Sequence, residues 1–214
     1  MTRRIIVWRH GQTAWNAARR VQGQTDVPLD SLGRQQAFEA GARLASLQPT
    51  RIVSSDLSRA SDTATALAEV CGVPVETDPR LREMQFGARE GLTWDEAWAQ
   101  MPEAMAAWLD GDESKVEGSE THAQAGERFA AALHEHADAL GADELLVVVA
   151  HGAVSRVGTC AFVGLPEDSW GAFGALGNCA WIALEEVRVG SRLRWRIVEW
   201  NAGTLPEPVL SDDD

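Results

Sequence analysis

"IIVWRHGQTAWN", residues 5–16, begins as a buried strand and ends as something else. Ile5, Ile6, Val7 and Trp8 form a short apolar run with the β-branched and aromatic character of a strand. The chain then leaves its core through Arg9 and His10, followed by Gly11. Polar residues commonly sit at strand ends, so this stretch alone reads equally well as structure. A second stretch repeats it: "LLVVVAHG", residues 145–152, runs from six apolar residues into His151 and Gly152. An unbroken apolar run marks a strand covered on both faces, as in a parallel sheet flanked by helices.

The pattern around these strands alternates. Arg4–Trp8 predicts a first strand. Residues 31–47 predict a helix that places Leu32, Ala37, Ala40, Leu44 and Leu47 on one side, with Asp30 or Ser31 as N-cap. Arg51–Ser54 predicts a strand, Leu57–Cys71 a helix closed by Gly72, and Val73–Glu76 a third strand. Residues 93–109 read as helix interrupted near Pro102, and Glu120–Leu140 as one long amphipathic helix. A helix follows His151, and Trp181–Val187 and Leu193–Trp200 read as antiparallel strands at an edge. Strands alternating with helices give an α/β three-layer sandwich, a mostly parallel central sheet with helices on both faces. We expect one domain over residues 1–205 and an acidic tail over 206–214.

Composition narrows the function. The 214 residues are 45% hydrophobic and 24% charged, enough for one substantial core. No apolar run reaches the ~20 residues of a membrane span, and the N-terminus lacks the roughly 7–15 apolar residues of a secretory signal. We therefore expect a cytoplasmic protein with no membrane partner. Cys71, Cys160 and Cys179 are odd in number and widely spaced, which suggests neither a disulfide framework nor a zinc site. The net charge of -13 argues against nucleic acid as a partner. An anionic small molecule would need arginines gathered locally in one pocket.

Ligands in such folds bind beyond the carboxyl ends of the strands. Arg9, His10 and His151 stand at two of those ends, Arg59 follows a third strand, and Glu83 lies in the loop "LREMQFGAREG" (81–91). Arginine forks bind phosphate through paired charge-assisted hydrogen bonds. A neutral imidazole can attack phosphorus, a second histidine can stabilise its oxygens, and a carboxylic acid can protonate a departing alkoxide. Each residue alone has a plainer reading: a satisfied strand-end histidine, a solvated helix arginine, a loop carboxylate. Their order and spacing together favour the chemistry.

"RHGQTAWN", "SSDLSRASDTA", "LREMQFGAREG" and "VVVAHGAVSR" together resemble the histidine phosphatase superfamily, also called phosphoglycerate mutase-like, in the family's order from residue 5 to about 200. The resemblance implies that His10 is the phosphorylated nucleophile. It implies that Arg9, Arg59 and His151 bind the phosphoryl group and that Glu83 donates the proton and later activates water. It also implies that Asn16, Gln22 and Gly23 of "RVQGQTD", and the backbone at Gly152 and Ala153, line the pocket. It calls for no cofactor and no metal. The expected partner is a small phosphorylated metabolite, and a homodimer is left open.

Within the superfamily, mutases carry a longer basic insert after the Glu motif. Here Leu92–Gly118 contains Lys115, no arginine and seven acidic residues, which favours water as phosphoryl acceptor. The expected activity is metal-independent phosphomonoester hydrolysis through a phosphohistidine. "RVQGQTDVPLDSLGRQQA", "LGNCAWIAL" and "RWRIVEWNAG" are similar to the glucosyl-3-phosphoglycerate phosphatases, although "DGDESKVEGSE" (110–120) departs from their pattern. A phosphoglycerate mutase and a silent phospholigand-binding protein stand as alternatives. Arg20 and Arg89 flank the motifs and could serve a substrate carboxylate. Trp170 could close over the substrate, and Asn178 could orient site backbone. His122, His134 and His136 read as surface residues.

Overall fold

The computed structural model describes residues 2–203; the expected domain end at 205 and the tail at 206–214 lie outside these residues. A six-stranded sheet runs through the molecule. Its strands are β1 (Arg4–Arg9), β2 (Arg51–Ser54), β3 (Val75–Thr77), β4 (Leu145–Ala150), β5 (Trp181–Val189) and β6 (Arg192–Ala202), in the spatial order β3-β2-β4-β1-β5-β6. β1, β2, β3 and β4 pair in parallel; β5 runs antiparallel to β1, and β6 antiparallel to β5. The mostly parallel sheet with an antiparallel edge is the one the sequence predicts.

The helices are α1 (Ala14–Ala17), α2 (Ser31–Ala45), α3 (Ser58–Cys71), α4 (Trp94–Gln100), α5 (Pro102–Leu109), α6 (His122–Asp138) and α7 (Gly152–Phe162). Alternation along β1 divides the core. Ile5 and Val7 join a cluster with Phe129, Leu133, Val154 and Val157 of α6 and α7. Ile6 and Trp8 join another with Ala37, Leu44, Ala64 and Leu67 of α2 and α3. Each strand residue thus buries its side chain against one helical layer, which makes the three-layer sandwich. β1 and β4 are adjacent and parallel, and their crossover helices pass to opposite faces. Their carboxyl ends therefore flank the cleft that such a switch of direction opens.

Local chemistry fixes most element ends. Asp30 caps α2 by accepting from Gly33 N, and Gly72 closes α3 in the left-handed region (φ 72°). Pro102 starts α5, where its missing N–H costs nothing. The buried face of α2 differs from the expected one. Leu32 is 45% exposed and Leu47 38%, while Gly33 and Gly41 are turned inward with Ala37, Ala40 and Leu44. The glycines are there because backbone packs against backbone: a Cβ on Gly33 would stand 2.0 Å from Gln12 O. This approach holds α2 against the loop after β1. All three cysteines are free, and among the described residues no helix is long and apolar enough to cross a membrane.

Candidate active site

Register alone brings the two histidines together. Arg9 pairs with Ala150 across β1 and β4, and the next residue of each strand is His10 and His151. His10 N donates to Ala150 O at 3.0 Å, and the two imidazole centroids lie 5.1 Å apart. Both rings are buried, and their partners assign opposite tautomers. His10 Nδ1 lies 2.6 Å from the Gly11 carbonyl, which can only accept, so Nδ1 carries the proton and Nε2 keeps its lone pair. His151 Nδ1 accepts from Arg59 Nε at 3.1 Å, so its Nε2 carries the proton, 2.9 Å from Ser55 Oγ. Burial, and then the positive charges of Arg59 and Arg9, push His10 well below the usual imidazole range. His151 is pushed the same way by burial, then by Arg59, His10 and Arg9. Two neutral rings face each other: His10 keeps a lone pair on Nε2, while His151 is held by Arg59 at Nδ1 and by Ser55 at Nε2.

Arg59 is fixed on all sides. Its two terminal nitrogens donate to Thr25 O at 2.8 Å and Gly23 O at 2.7 Å, while Nε holds His151. The start of α3 that carries it is held by Asp26, whose Oδ1 accepts from Ser58 N and Oγ, both at 2.8 Å. Thr63 Oγ1 donates to Arg59 O at 2.7 Å and accepts from Gly11 N at 3.1 Å, tying α3 to the His10 turn. Arg9 is buried beside the same cleft. Its guanidinium donates to Leu176 O and packs on Gly152, where a Cβ would sit 3.4 Å from Cζ.

The carboxylate of Glu83 sits against the first turn of α7. Its Oε1 accepts from Met84 N and Val154 N, both at 2.8 Å, and Oε2 accepts from Ala153 N at 3.2 Å. A helix N-terminus is a natural seat for an acidic group. Arg128 of α6 supports the preceding loop through Arg80 O and Arg82 O at 2.7 and 3.0 Å. Asn16 is buried, its Oδ1 accepting from Thr13 N at 3.1 Å and from Asn178 Nδ2 at 3.3 Å. Asn178 also donates to His10 O at 3.2 Å, so it does touch the backbone of the strand end. Gln22 Oε1 accepts from Thr13 Oγ1 at 2.9 Å, and its Nε2 is buried with no partner among the described residues. Gly23 takes a positive φ of 53°.

Other expected contributors stand elsewhere. Arg20 forms a two-pronged ion pair with Glu96 of α4 and donates to Gly91 O. Arg89 is 3% exposed and stacks between Phe86 and Trp108, 5.0 and 4.4 Å from their ring centroids, where it anchors the 94–109 helices. Trp170 is buried, its Nε1 donating to Leu165 O at 3.1 Å and its ring packed on Gly126. It borders a cavity of about 860 Å³ lined by residues 111–114, the start of α6, Arg156 and Val157 of α7, and the 167–171 segment.

Two histidines correct the surface reading. His136 is buried and its Nε2 lies 3.0 Å from Asp78 Oδ2. His122 is half-buried against Glu113 and near Arg156. His134 is exposed and lies against Phe162. Among the described residues no group of three or more histidine, cysteine or acidic side chains could hold a metal ion. Sequence reasoning passed over Ser55, Thr63, Asp26, Glu90 and Arg128. Ser55 and Thr63 lie in "SSDLSRASDTA", Asp26 in "RVQGQTD" and Glu90 in "LREMQFGAREG", motifs that mark the region but not these roles; Arg128 looks like ordinary helix polarity.

A model of the histidine phosphatase superfamily, branch 1, matches residues 5–203. The chain belongs to the histidine phosphatase superfamily. It is 41% identical over 213 residues to the glucosyl-3-phosphoglycerate phosphatase of Mycolicibacterium vanbaalenii, covering 94% of this chain and 95% of that one. It is 36% identical to a probable phosphoglycerate mutase of Erwinia tasmaniensis, covering 77% of each. The solved structure of a mycobacterial glucosyl-3-phosphoglycerate phosphatase in complex with VO3 superposes with a TM-score of 0.86 at 39% identity, covering 94% of this chain and all of the other. The expected phosphoglycerate mutase-like architecture and the expected family are met.

Proposed function

We propose that this protein is a phosphatase that hydrolyses a small phosphomonoester through a phosphohistidine on His10, without a metal or cofactor. One observation carries the reading: His10 keeps an unprotonated Nε2 with its ring centroid 5.1 Å from that of His151, inside a wall made by Arg9 and Arg59. His10 Nε2 attacks phosphorus as the ester P–O bond breaks. Glu83 gives the departing oxygen its proton. Water then attacks the phosphohistidine, Glu83 takes the water proton, the N–P bond breaks, and inorganic phosphate leaves.

The surroundings support each role. Neutral His10 is nucleophilic only because burial and the two arginines keep a proton off Nε2. A phosphate dianion offsets the arginine charges, so that His151 can take up a proton on Nδ1 and donate it to a phosphate oxygen. Glu83 needs an oxygen free for the leaving group, and the longer contact, Oε2 to Ala153 N, is the one to give way. Asn16, Gln22, Gly23, Gly152 and Ala153 complete the wall, and the unpartnered Nε2 of Gln22 is a donor suited to a phosphate oxygen.

Hydrolysis is favoured over phosphoryl return because the Leu92–Gly118 segment offers no arginine, and its Lys115 is paired with Asp112 at 3.5 Å. For the substrate we adopt glucosyl-3-phosphoglycerate, with glucosylglycerate as the leaving group, on the identity to glucosyl-3-phosphoglycerate phosphatases over 94% of the chain. We infer a cytoplasmic setting, where such metabolites are made, and a partner list of small phosphorylated metabolites without nucleic acid. The test is phosphate release from a panel: glucosyl-3-phosphoglycerate, 3-phosphoglycerate, simple sugar phosphates and nitrophenyl phosphate. Release from none of them rejects the phosphatase reading. Preference for an ester lacking a carboxylate rejects the substrate and keeps the reaction.

A further inference from the structure

We infer that Glu90 is a positioning residue for the phosphate-binding arginine. The inference rests on the phosphatase reading, because it assigns Glu90 to the same site. Glu90 touches neither histidine in any hydrogen bond described above. Its carboxylate instead gathers four donors: Gln24 N at 3.1 Å and Phe86 N at 3.2 Å on Oε1, with Thr25 N at 3.2 Å and Thr25 Oγ1 at 2.7 Å on Oε2. Three of these belong to the loop 23–25. That loop supplies the two carbonyls, Gly23 O and Thr25 O, which accept both terminal nitrogens of Arg59. Arg59 Nε in turn fixes the tautomer of His151.

The same loop also reaches the other end of the reaction. Gln24 Nε2 donates to Glu83 O at 3.1 Å. Glu90 therefore holds one short segment against the 81–91 loop, and that segment carries the Arg59 cradle on one side and the Glu83 backbone on the other. The chemistry requires a carboxylate. Every partner is a donor, and three are backbone N–H groups that cannot reverse, so an amide at this position must face one of them with its own N–H. Gly23 follows from the same fit: its missing Cβ leaves the space that Glu90 Oε1 fills, 2.0 Å from where a Cβ would stand.

The test uses Glu90→Gln, Thr25→Val and Thr25→Ser, read as inhibition by inorganic phosphate and orthovanadate at a temperature where each variant is fully folded by circular dichroism. If Glu90 orients Arg59, Glu90→Gln raises the inhibition constant of phosphate roughly 10-fold. Thr25→Val gives a smaller rise, and Thr25→Ser restores the wild-type value. In an Arg59→Ala background, Glu90→Gln should add nothing further, because the group it positions is gone. A purely structural role would lower stability and leave the inhibition constant unchanged. Unchanged phosphate inhibition in folded Glu90→Gln overturns the proposal, and so does a full additional loss in the Arg59→Ala background. If Glu90→Gln does not fold, an unchanged constant in Thr25→Val overturns it in the same way. Wild-type protein that releases no phosphate from any ester would instead overturn the phosphatase reading.

Discussion

Gly23→Ala asks whether the loop that holds Arg59 is as tightly fitted as it looks. Two costs meet at this residue. Gly23 has φ 53°, and an L-residue in the left-handed region costs roughly 1–2 kcal/mol. The new methyl would also stand 2.0 Å from Glu90 Oε1 and 2.4 Å from its Cδ, so the carboxylate must swing away. Doing so releases Gln24 N, Thr25 N and Phe86 N, and hydrogen bonds to a charged group are worth about 1.5–3 kcal/mol. Glu90 is only half-buried and water can replace part of the loss, so the low end of that range applies once. The expected destabilisation is roughly 2.5–3.5 kcal/mol, a large share of the ~5–15 kcal/mol available to a domain. Urea unfolding measures it from the midpoint, and kcat/KM is measured alongside below the transition. The double substitution Gly23→Ala/Glu90→Ala should be no less stable than Gly23→Ala alone, because the clash and the lost bonds are one event. A Gly23→Ala protein within about 0.5 kcal/mol of wild type refutes the reasoning. Fully additive costs in the double variant refute it as well.

Glu83→Gln should slow hydrolysis of an alkyl phosphate by ~10²–10⁴-fold and of nitrophenyl phosphate far less, since nitrophenolate leaves without a proton; equal losses in the phosphorylation step would assign the acid elsewhere. The acid limb of kcat/KM should lie below pH 6.5, because His10 is held below the usual imidazole range and keeps its lone pair where a free histidine would lose it. A limb at or above pH 6.5 that persists with a substrate whose own ionisation lies outside this range would contradict this. Asp78 is lowered from 3.8 to about 2 against the opposing effect of burial, by Arg80 and His136, which after solvent screening corresponds to roughly 1–2 kcal/mol. Because the folded value is the lower one, that stability is full above about pH 4 and is lost as pH falls toward 2. Asp78→Asn should therefore be destabilised at pH 7 and nearly match wild type near pH 2, as read by urea midpoints across pH.

The sheet was legible in sequence because its signals are local. Unbroken apolar runs mark β1 and β4, and the His-Gly step after each marks where they end. The cap at Asp30, the stop at Gly72 and the break at Pro102 follow from residue chemistry alone. The buried face of α2 was misread because two glycines, which carry no hydrophobic signal, pack there backbone to backbone in place of Leu32 and Leu47. Arg20 and Arg89 were drawn toward the pocket by charge, yet Glu96 and the Phe86–Trp108 pair claim them, partners set by tertiary contact. His136 read as exposed because its partner Asp78 lies 58 residues away. Ser55, Thr63 and Glu90 lie inside the motifs, but their roles, like that of Arg128, depend on which loops meet.

The central claim is that phosphorus passes through His10. Rapid mixing of the protein with a ³²P-labelled phosphomonoester, quenched in base within the first turnover, measures it directly. The account expects label on the protein that survives alkali, is released in acid and maps to the peptide containing His10, with neither label nor turnover in His10→Ala and no effect of a strong chelator. Turnover without protein-bound label, label on another residue, or an active His10→Ala protein would contradict it.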